Sequence, residues 1–299
     1  MVEANFPYPH HADPDIFRAA LSYSEATTGF TATLIEKDYY CSLLLRCLFS
    51  RDTSLVFKGG TCLGKVYADF YRLSEDLDFI IPVGANTSRT RRRAKAEPVK
   101  RVFERLPAVL PGLAISEAFE GHNESRQYIG YLEYPSAVME KHERIKIEVG
   151  LREPLVSPAE SKPARTIIIN PFTGQPLLPS FPVRALALTE AYAEKFRAAM
   201  TRREPAIRDF FDLAYAVRDM ALNTQDAEFI SMVAAKLAVP GNAPVDVSAG
   251  RKQELHRQLE GRLRPVLRPA DFVRFDLETA FELVRRVAET IEAVTAVRH

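Results

Sequence analysis

The spacing of apolar residues divides the chain into an α/β part and a helical part. Two segments near the start have helical periodicity, the first opening at Asp13-Pro14 and the second spanning 32–49. Period-two alternation then predicts three antiparallel strands, over 113–119, 127–134 and 144–149. Helical spacing returns after Pro182 and predicts four helices, over 184–200, 205–220, 228–238 and from Ala270 onward. We therefore expect an α/β (α+β) fold in which a small mixed sheet with flanking helices precedes an α-helical domain.

A proline-rich segment separates the two parts. Residues 151–182 contain seven prolines and one short apolar stretch, Thr166 to Ile169, which we interpret as a strand. We place the domain boundary at the end of this segment, which gives domains over 1–180 and 181–299.

The stretch 54–81 predicts a strand, a glycine turn, a helix and a second strand. The first strand ends before Gly59-Gly60, the helix spans Cys62 to Phe70, and the second strand contains Asp76 and Asp78. Side chains alternate along a strand, so both carboxylates share one face while the apolar residues between them face the core.

Two carboxylates on one strand face repel each other unless a cation lies between them. Oxygen ligands suit Mg²⁺, which is bound by one or two carboxylates together with substrate phosphates. Gly59 and Gly60 allow the backbone to approach a phosphate closely. A phosphate-binding turn followed by the metal ligands Asp76 and Asp78 is the layout of a nucleotidyl transferase active site.

This stretch resembles the signature of the AbiEii/AbiGii-type nucleotidyltransferase toxins, a branch of the polymerase-β-like superfamily. The string K-G-G-T followed by R-x-S-E-D-L-D-F carries the resemblance. It implies that the nucleotide is bound by the turn, which comprises Lys58, Gly59, Gly60 and Thr61. The usual superfamily turn is Gly-Ser, so the hydroxyl of Thr61 is displaced here by one residue. By strand alternation Ser74 shares the face of the acids, and we expect it to donate a hydrogen bond to a nucleotide phosphate.

A third acid is predicted on the last of the three alternating strands. In I-K-I-E-V the apolar residues Ile145, Ile147 and Val149 form the buried face, so Lys146 and Glu148 lie on the other. Polymerase-β-like enzymes use a third carboxylate for a second metal or for deprotonating the attacking hydroxyl. Glu148 is therefore a candidate catalytic residue and metal ligand beside Asp76 and Asp78.

The resemblance extends to a second motif, A-E-K followed by R-D-x-x-D-L. Spacing alone indicates an ordinary charged helix face, with Glu190 and Glu194 one turn apart. The resemblance implies instead that Lys195 binds the triphosphate, that Asp209 and Asp212 orient this lysine and the nucleotide, and that the helical domain completes a nucleotide cleft.

The composition and net charge are those of an ordinary soluble globular protein. Hydrophobic residues make up 46% and charged residues 26%, and the formal net charge of +1 gives no global attraction to nucleic acid. A local basic run extends from Arg89 to Arg105, predicted to be helical with Pro98 interrupting or restarting it. It is either a solvated face or a surface for RNA phosphates.

The remaining polar residues indicate no further site. Three cysteines in apolar stretches and the absence of a leader in Met1–Arg18 or of a membrane-spanning run indicate a cytoplasmic protein with reduced thiols. The six histidines show no metal-ligand spacing. The string Glu36-Lys37-Asp38-Tyr39, which family members share, is interpreted as a solvated helix face.

The resemblance implies a toxin of a bacterial toxin–antitoxin system used in phage defence. We expect a monomer that uses Mg²⁺, or Mn²⁺, to move NMP from an NTP to RNA, at the tRNA 3′ acceptor end, and that is restrained by a cognate antitoxin protein. Three alternatives remain open: a small-molecule or protein nucleotidyltransferase, a phosphotransferase with the same residues, and a catalytically silent nucleotide-binding protein.

Overall fold

The computed structural model describes residues 10–50 and 54–296, with side chains described as far as Val294. The first residues searched for a leader therefore lie outside the described part. The chain forms two compact units, of which one ends at Leu186 and the other begins at Ala187. The first contains a mixed sheet with flanking helices and the second contains helices, which confirms the predicted fold class.

The first unit is built on a seven-stranded sheet. Its helices are α1 (Pro14–Thr28), α2 (Ala32–Phe49), α3 (Gly59–Cys62) and α4 (Arg89–Val109), with a 3₁₀ turn at His10–Ala12 and a π-helical turn at Leu63–Tyr67. Its strands are β1 (Val56–Lys58), β2 (Leu77–Ile80), β3 (Ala114–His122), β4 (Gln127–Pro135), β5 (His142–Gly150), β6 (Glu160–Ala164) and β7 (Phe181–Ala185). The spatial order is β3-β4-β5-β2-β1-β7-β6, and β2–β5 and β1–β7 are the parallel pairs.

The first two helices begin where the sequence predicts, and the second also ends there. Asp13 caps α1 by accepting a hydrogen bond from the amide of Ile16 at 3.2 Å, and Pro14 occupies the first turn. Gly29, at φ +76°, ends α1 in the left-handed conformation that glycine adopts without strain.

Helix α2 is the buried centre of the first unit, and the expected solvated face is wrong. Glu36, Lys37, Asp38 and Tyr39 are all buried. The carboxylate of Glu36 accepts hydrogen bonds from the hydroxyl of Ser136 at 2.5 Å and from the amide of Ala137 at 2.6 Å. The ammonium of Lys37 lies 3.1 Å from Glu75 and 3.4 Å from Glu143. A buried charge is costly without a partner, and each of these charges has one.

Asp38 joins α2 to two further segments. Its carboxylate lies 2.6 Å from the ammonium of Lys65 and accepts a hydrogen bond from the amide of Ile167 at 3.2 Å. Lys65 also donates to the hydroxyl of Ser42 at 2.7 Å. The motif therefore fixes α2 against the π-helical turn and the segment before β7.

The proline-rich segment contributes two strands that the sequence did not indicate. Pro163 of β6 pairs with Pro182 of β7, and β6 forms one edge of the sheet, where a missing N–H is tolerated. The predicted strand from Thr166 to Ile169 is wrong, because only Ile169 forms an isolated bridge, with Pro176.

Three predicted helices have different limits in the structure. The helix predicted over 62–70 begins earlier and its π-helical turn ends at Tyr67, since Asp69 and Phe70 have positive φ angles. Helix α4 runs through Pro98 without interruption. The predicted final helix is two helices, because the carboxylate of Asp276 accepts from the amides of Glu278 and Thr279, both at 3.1 Å, and caps a new helix.

In the described part of the second unit, every regular element is a helix. Its α-helices are α5 (Leu188–Thr201), α6 (Ile207–Asp219), α7 (Ala227–Leu237), α8 (Ala249–Gln258), α9 (Pro269–Val273) and α10 (Leu277–Ala296). Helical spacing from Ala270 onward places Val273 and Phe281 on one apolar face of the predicted final helix. The part of this face in α10 is buried, and Phe281 stacks on Phe210 at a ring separation of 5.8 Å. Val273 is instead 83% exposed in α9. Helix α8 was not among the predicted helices.

Within the described residues, no helix combines the length and the apolar character needed to cross a membrane.

Candidate active site

A row of charged residues crosses three adjacent strands. Lys58 of β1 is the register partner of Asp78 of β2, and Asp78 is the register partner of Glu148 of β5. Residues directly opposite each other on neighbouring strands share a face, and the alternate residues Leu77 and Phe79 are fully buried. The structure thus places Glu148 beside Asp78, as the alternation predicts.

The two glycines are required by the chain's own side chains. Gly59 has φ +77°, and a Cβ atom there would lie 2.5 Å from the Oδ2 atom of Asp78. A Cβ atom on Gly60 would lie 2.2 Å from the guanidinium of Arg72. The sequence predicts that a phosphate approaches the backbone of these glycines closely. In the structure the carboxylate of Asp78 and the guanidinium of Arg72 lie in this position.

Arg72 is a functional candidate that the sequence interpretation left without a role. It belongs to the family signature, is 3% exposed, and donates from Nη1 to the carbonyl of Leu73 at 3.1 Å. Its packing on Gly60 places a buried positive charge at the start of α3. The sequence signal that could have identified Arg72 was its position after the glycine pair, Gly59-Gly60, within the same motif.

Thr61 is hydrogen-bonded to the backbone immediately before β2. Its hydroxyl donates to the carbonyl of Asp76 at 2.5 Å, and the residue is buried. Asp76 precedes β2 by one residue, so the prediction that the second strand contains it is wrong, although its negative charge acts on Asp78. Thr61 therefore fixes the backbone that presents the first predicted metal ligand.

The acids of this face repel one another. Burial, followed by the negative charge of Glu148, raises the pKa of Asp78 to about 6, with Asp76 adding to the rise and Lys58 opposing it. Burial also acts to raise the pKa of Glu148, but the hydrogen bond and charge of Lys146 lower it overall. A cation beside Asp78 would relieve this repulsion.

The donor set suits a hard divalent cation. Asp76, Asp78 and Glu148 offer only carboxylate oxygens, which Mg²⁺ and Mn²⁺ prefer. Across residues 10–50 and 54–296, no group of three or more His, Cys, Asp or Glu side chains is already arranged to hold an ion. Both oxygens of Glu148 are engaged, at 2.5 Å by the ammonium of Lys146 and at 2.6 Å by the side-chain amide of Gln127.

The structure gives no support to the alternation argument for Ser74. Strand β2 begins at Leu77, so period-two alternation does not extend back to Ser74, which is half-buried. The neighbouring Glu75 is turned towards Lys37, its ion-pair partner at 3.1 Å.

The second motif forms a compact cluster inside the second unit. The ammonium of Lys195 lies 2.8 Å from Asp209 and 2.7 Å from Asp212, whose side chains are 3% and 0% exposed. Burial acts to raise the pKa of Asp209, but the charges of Lys195 and Arg202 lower it overall. The three residues are brought together as the resemblance implies, and they do not form a solvated helix face.

A neighbouring ion pair in the same unit escaped the sequence interpretation. The ammonium of Lys236 on α7 lies 2.6 Å from Glu190 and 3.4 Å from Glu194, and Lys236 is 1% exposed. Lys236 is the sole basic residue of the largely apolar α7, and this was the available sequence signal.

The basic helix α4 is exposed along most of its charges. The arginines and lysines at its surface are Arg89, Arg91, Arg93, Lys95, Arg101 and Arg105. Arg92 differs, because it is buried and donates from Nη2 to the carbonyl of Glu124 at 3.0 Å. Arg92 therefore attaches the start of α4 to the β3–β4 turn and is not available to a ligand.

The chain resembles known proteins over most of its length. Residues 43–288 match the family described as nucleotidyl transferase AbiEii toxin, type IV TA system. A comparison with curated proteins gave no match. Among solved structures the chain is similar to JHP933 from Helicobacter pylori, with 16% identity and a TM-score of 0.44 over 94% of this chain and 98% of that chain. A nucleotidyltransferase candidate from H. pylori is similar with 17% identity and a TM-score of 0.43 over the same shares, 94% and 98%.

Proposed function

Because the chain belongs to the AbiEii family of nucleotidyl transferase toxins, we propose that it transfers NMP from an NTP to RNA on the face formed by Asp76, Asp78 and Glu148. The observation that carries this proposal is the register row of Lys58, Asp78 and Glu148, with Asp78 seated on Gly59. This row supplies the carboxylates of Asp78 and Glu148 and the ammonium of Lys58 on one strand face, next to the glycine turn.

Each residue has a definable task in such a reaction. Asp76, Asp78 and Glu148 would hold Mg²⁺, which when bound supplies charge neutralisation to the nucleotide phosphates. Lys58 contributes a positive charge in the same row, and the amides at Gly59, Gly60 and Thr61 lie at the start of α3, where an anion is favoured.

Lys195 is the proposed ligand of the triphosphate. A lysine ammonium is a compact point charge suited to a phosphate, and Asp209 and Asp212 hold this one in place. The two aspartates thus act as positioning residues for Lys195.

The acceptor is proposed to be RNA, at the 3′ acceptor end of tRNA, and the toxin is proposed to be restrained by a cognate antitoxin protein. The exposed arginines of α4 support an RNA acceptor, because phosphate contacts supply affinity that does not depend on sequence. Toxin–antitoxin family membership supports the antitoxin.

The defining experiment compares α-labelled with γ-labelled NTPs in the presence of tRNA, Mg²⁺ or EDTA. We expect label from one α-labelled NTP to enter tRNA with Mg²⁺ and not with EDTA. Entry of γ-label would indicate phosphoryl transfer, and α-label in protein or a small molecule would assign another acceptor. Either result would contradict the proposal.

The exposed face of α4 gives a separate prediction. Replacing Arg89, Arg91 and Arg93 by alanine removes three charges while leaving the anchor Arg92 in place. If all three contact single-stranded RNA phosphates, the slope of log affinity against log salt falls by about 2. Replacing Arg285 and Arg286 of α10, whose side chains are 41% and 73% exposed, is the control. An unchanged slope in the α4 variant would show that these arginines do not contact RNA phosphates and that the face is only solvated.

A further inference from the structure

Lys146 lies inside the carboxylate face and has no task in the reaction described above. It precedes Glu148 by two residues on β5 and therefore shares its face, and its ammonium lies 2.5 Å from the Oε2 atom of Glu148. The side chain is 27% exposed. The charges of Asp78 and Asp76 also act on it, after that of Glu148. Lys146 thus brings a positive charge into direct contact with one acid of this face, Glu148.

The other oxygen of Glu148 is held through an oriented amide. Gln127 of β4 donates from Nε2 to the Oε1 atom of Glu148 at 2.6 Å, and its own Oε1 atom accepts from Asn123 at 3.3 Å. Asn123 thereby fixes which end of the Gln127 amide faces Glu148. Both oxygens of Glu148 thus already have a donor, and a cation that approaches Glu148 meets the positive charge of Lys146.

Of these two partners, Lys146 is the one suited to exchange. Its ammonium is carried on a flexible four-carbon stem and can move to another anion, whereas Gln127 is held by Asn123. A divalent cation at Glu148 would repel the ammonium and replace it. The triphosphate that arrives with the cation would offer the ammonium a new partner.

We propose that Lys146 is the resident counter-ion of Glu148, which competes with the divalent cation in the absence of nucleotide and moves to a nucleotide phosphate when both bind. This inference rests on the proposed function. It makes cation binding and nucleotide binding mutually dependent, because the cation frees Lys146 to bind a nucleotide phosphate and the phosphate stabilises Lys146 away from Glu148. A cation alone must displace Lys146, while the nucleotide gives the displaced lysine a partner.

The test measures Mn²⁺ binding to the full chain by electron paramagnetic resonance, without nucleotide or RNA. Lys146→Met keeps the stem and removes the charge, so we expect Mn²⁺ to bind about tenfold more tightly than to the parent. With saturating Mn²⁺, the same variant should bind a non-hydrolysable NTP analogue more weakly than the parent. Lys162→Met is the matched control. Like Lys146, Lys162 pairs with an acid two residues away on its own strand, in this case Glu160 of β6 at 3.0 Å. It should change neither affinity.

The outcomes separate this inference from the function on which it rests. If Mn²⁺ binds Lys146→Met no more tightly than the parent while Asp78→Asn abolishes binding, the metal site stands and the role of Lys146 is rejected. If the parent and every variant fail to bind Mn²⁺, the metal-dependent function fails and the role of Lys146 falls with it. Should Lys146→Met not fold, Lys146→Gln keeps a hydrogen-bond donor without charge, and the same tightening is expected.

Discussion

Asp78→Asn is expected to lower nucleotidyl transfer by at least about a hundredfold while the chain stays folded. The substitution removes a charged cation ligand from the centre of the row of Lys58, Asp78 and Glu148. It preserves the shape of the side chain that packs on Gly59. Because Asp78 faces two other acids, the loss of its charge removes repulsion, and the free energy of unfolding should not fall.

This prediction is checked by label transfer from an α-labelled NTP to tRNA and by urea unfolding of the same samples. Asp15→Asn is the control, since the side chain of Asp15 on α1 is 99% exposed. A folded Asp78→Asn chain that retains more than about a tenth of the parent's transfer rate would remove Asp78 from the metal assignment, because a lost cation ligand costs far more.

Lys195→Met is expected to abolish transfer and also to lower the free energy of unfolding by about 3–5 kcal/mol. The substitution leaves Asp209 and Asp212 buried without the ammonium that lies 2.8 and 2.7 Å from them. Arg202, at 3.4 Å from Asp209, offsets part of the charge of that carboxylate. Chemical denaturation measures the loss of stability, and label transfer measures the loss of activity.

A triple variant separates the two roles of this cluster. Lys195→Met combined with Asp209→Asn and Asp212→Asn removes the uncompensated charges, so stability should largely return while transfer stays absent. Lys252→Met is the control for an exposed pair, with Glu278 at 2.8 Å, and should cost at most about 1 kcal/mol. Transfer at the parental rate by the triple variant would show that Lys195 serves folding alone.

The parts of the fold with regular periodicity could be predicted from the sequence. Helix α2 has the predicted limits, strands β4 and β5 contain the segments predicted over 127–134 and 144–149, and β3 contains all of 113–119 except Leu113. Because a one-residue slip would turn the apolar side chains of β5 out of the core, the alternation also placed Glu148 on the same face as Asp78.

Features that depend on distant partners could not be predicted. The charges of α2 have the local spacing of a solvated helix, and the amide that Asp38 accepts from is 129 residues away. Strands β6 and β7 are short and rich in proline, so neither composition nor alternation indicated them. For Lys146 the alternation gave the face but not the ion pair with Glu148, since a lysine stem can turn in several directions.

The sheet order sets the moment during synthesis at which the first unit can be completed. Strand β1 lies between β2 and β7, and its partner Ala185 is made long after Asp76, Asp78 and Glu148. Until β7 leaves the ribosome, one edge of β1 lacks its neighbour, and an unpaired strand edge invites association with other chains. A nascent or truncated chain that ends in the proline-rich segment thus carries every predicted metal ligand without a finished sheet, so premature stops upstream of Phe181 should silence the toxin as fully as deletion of the gene.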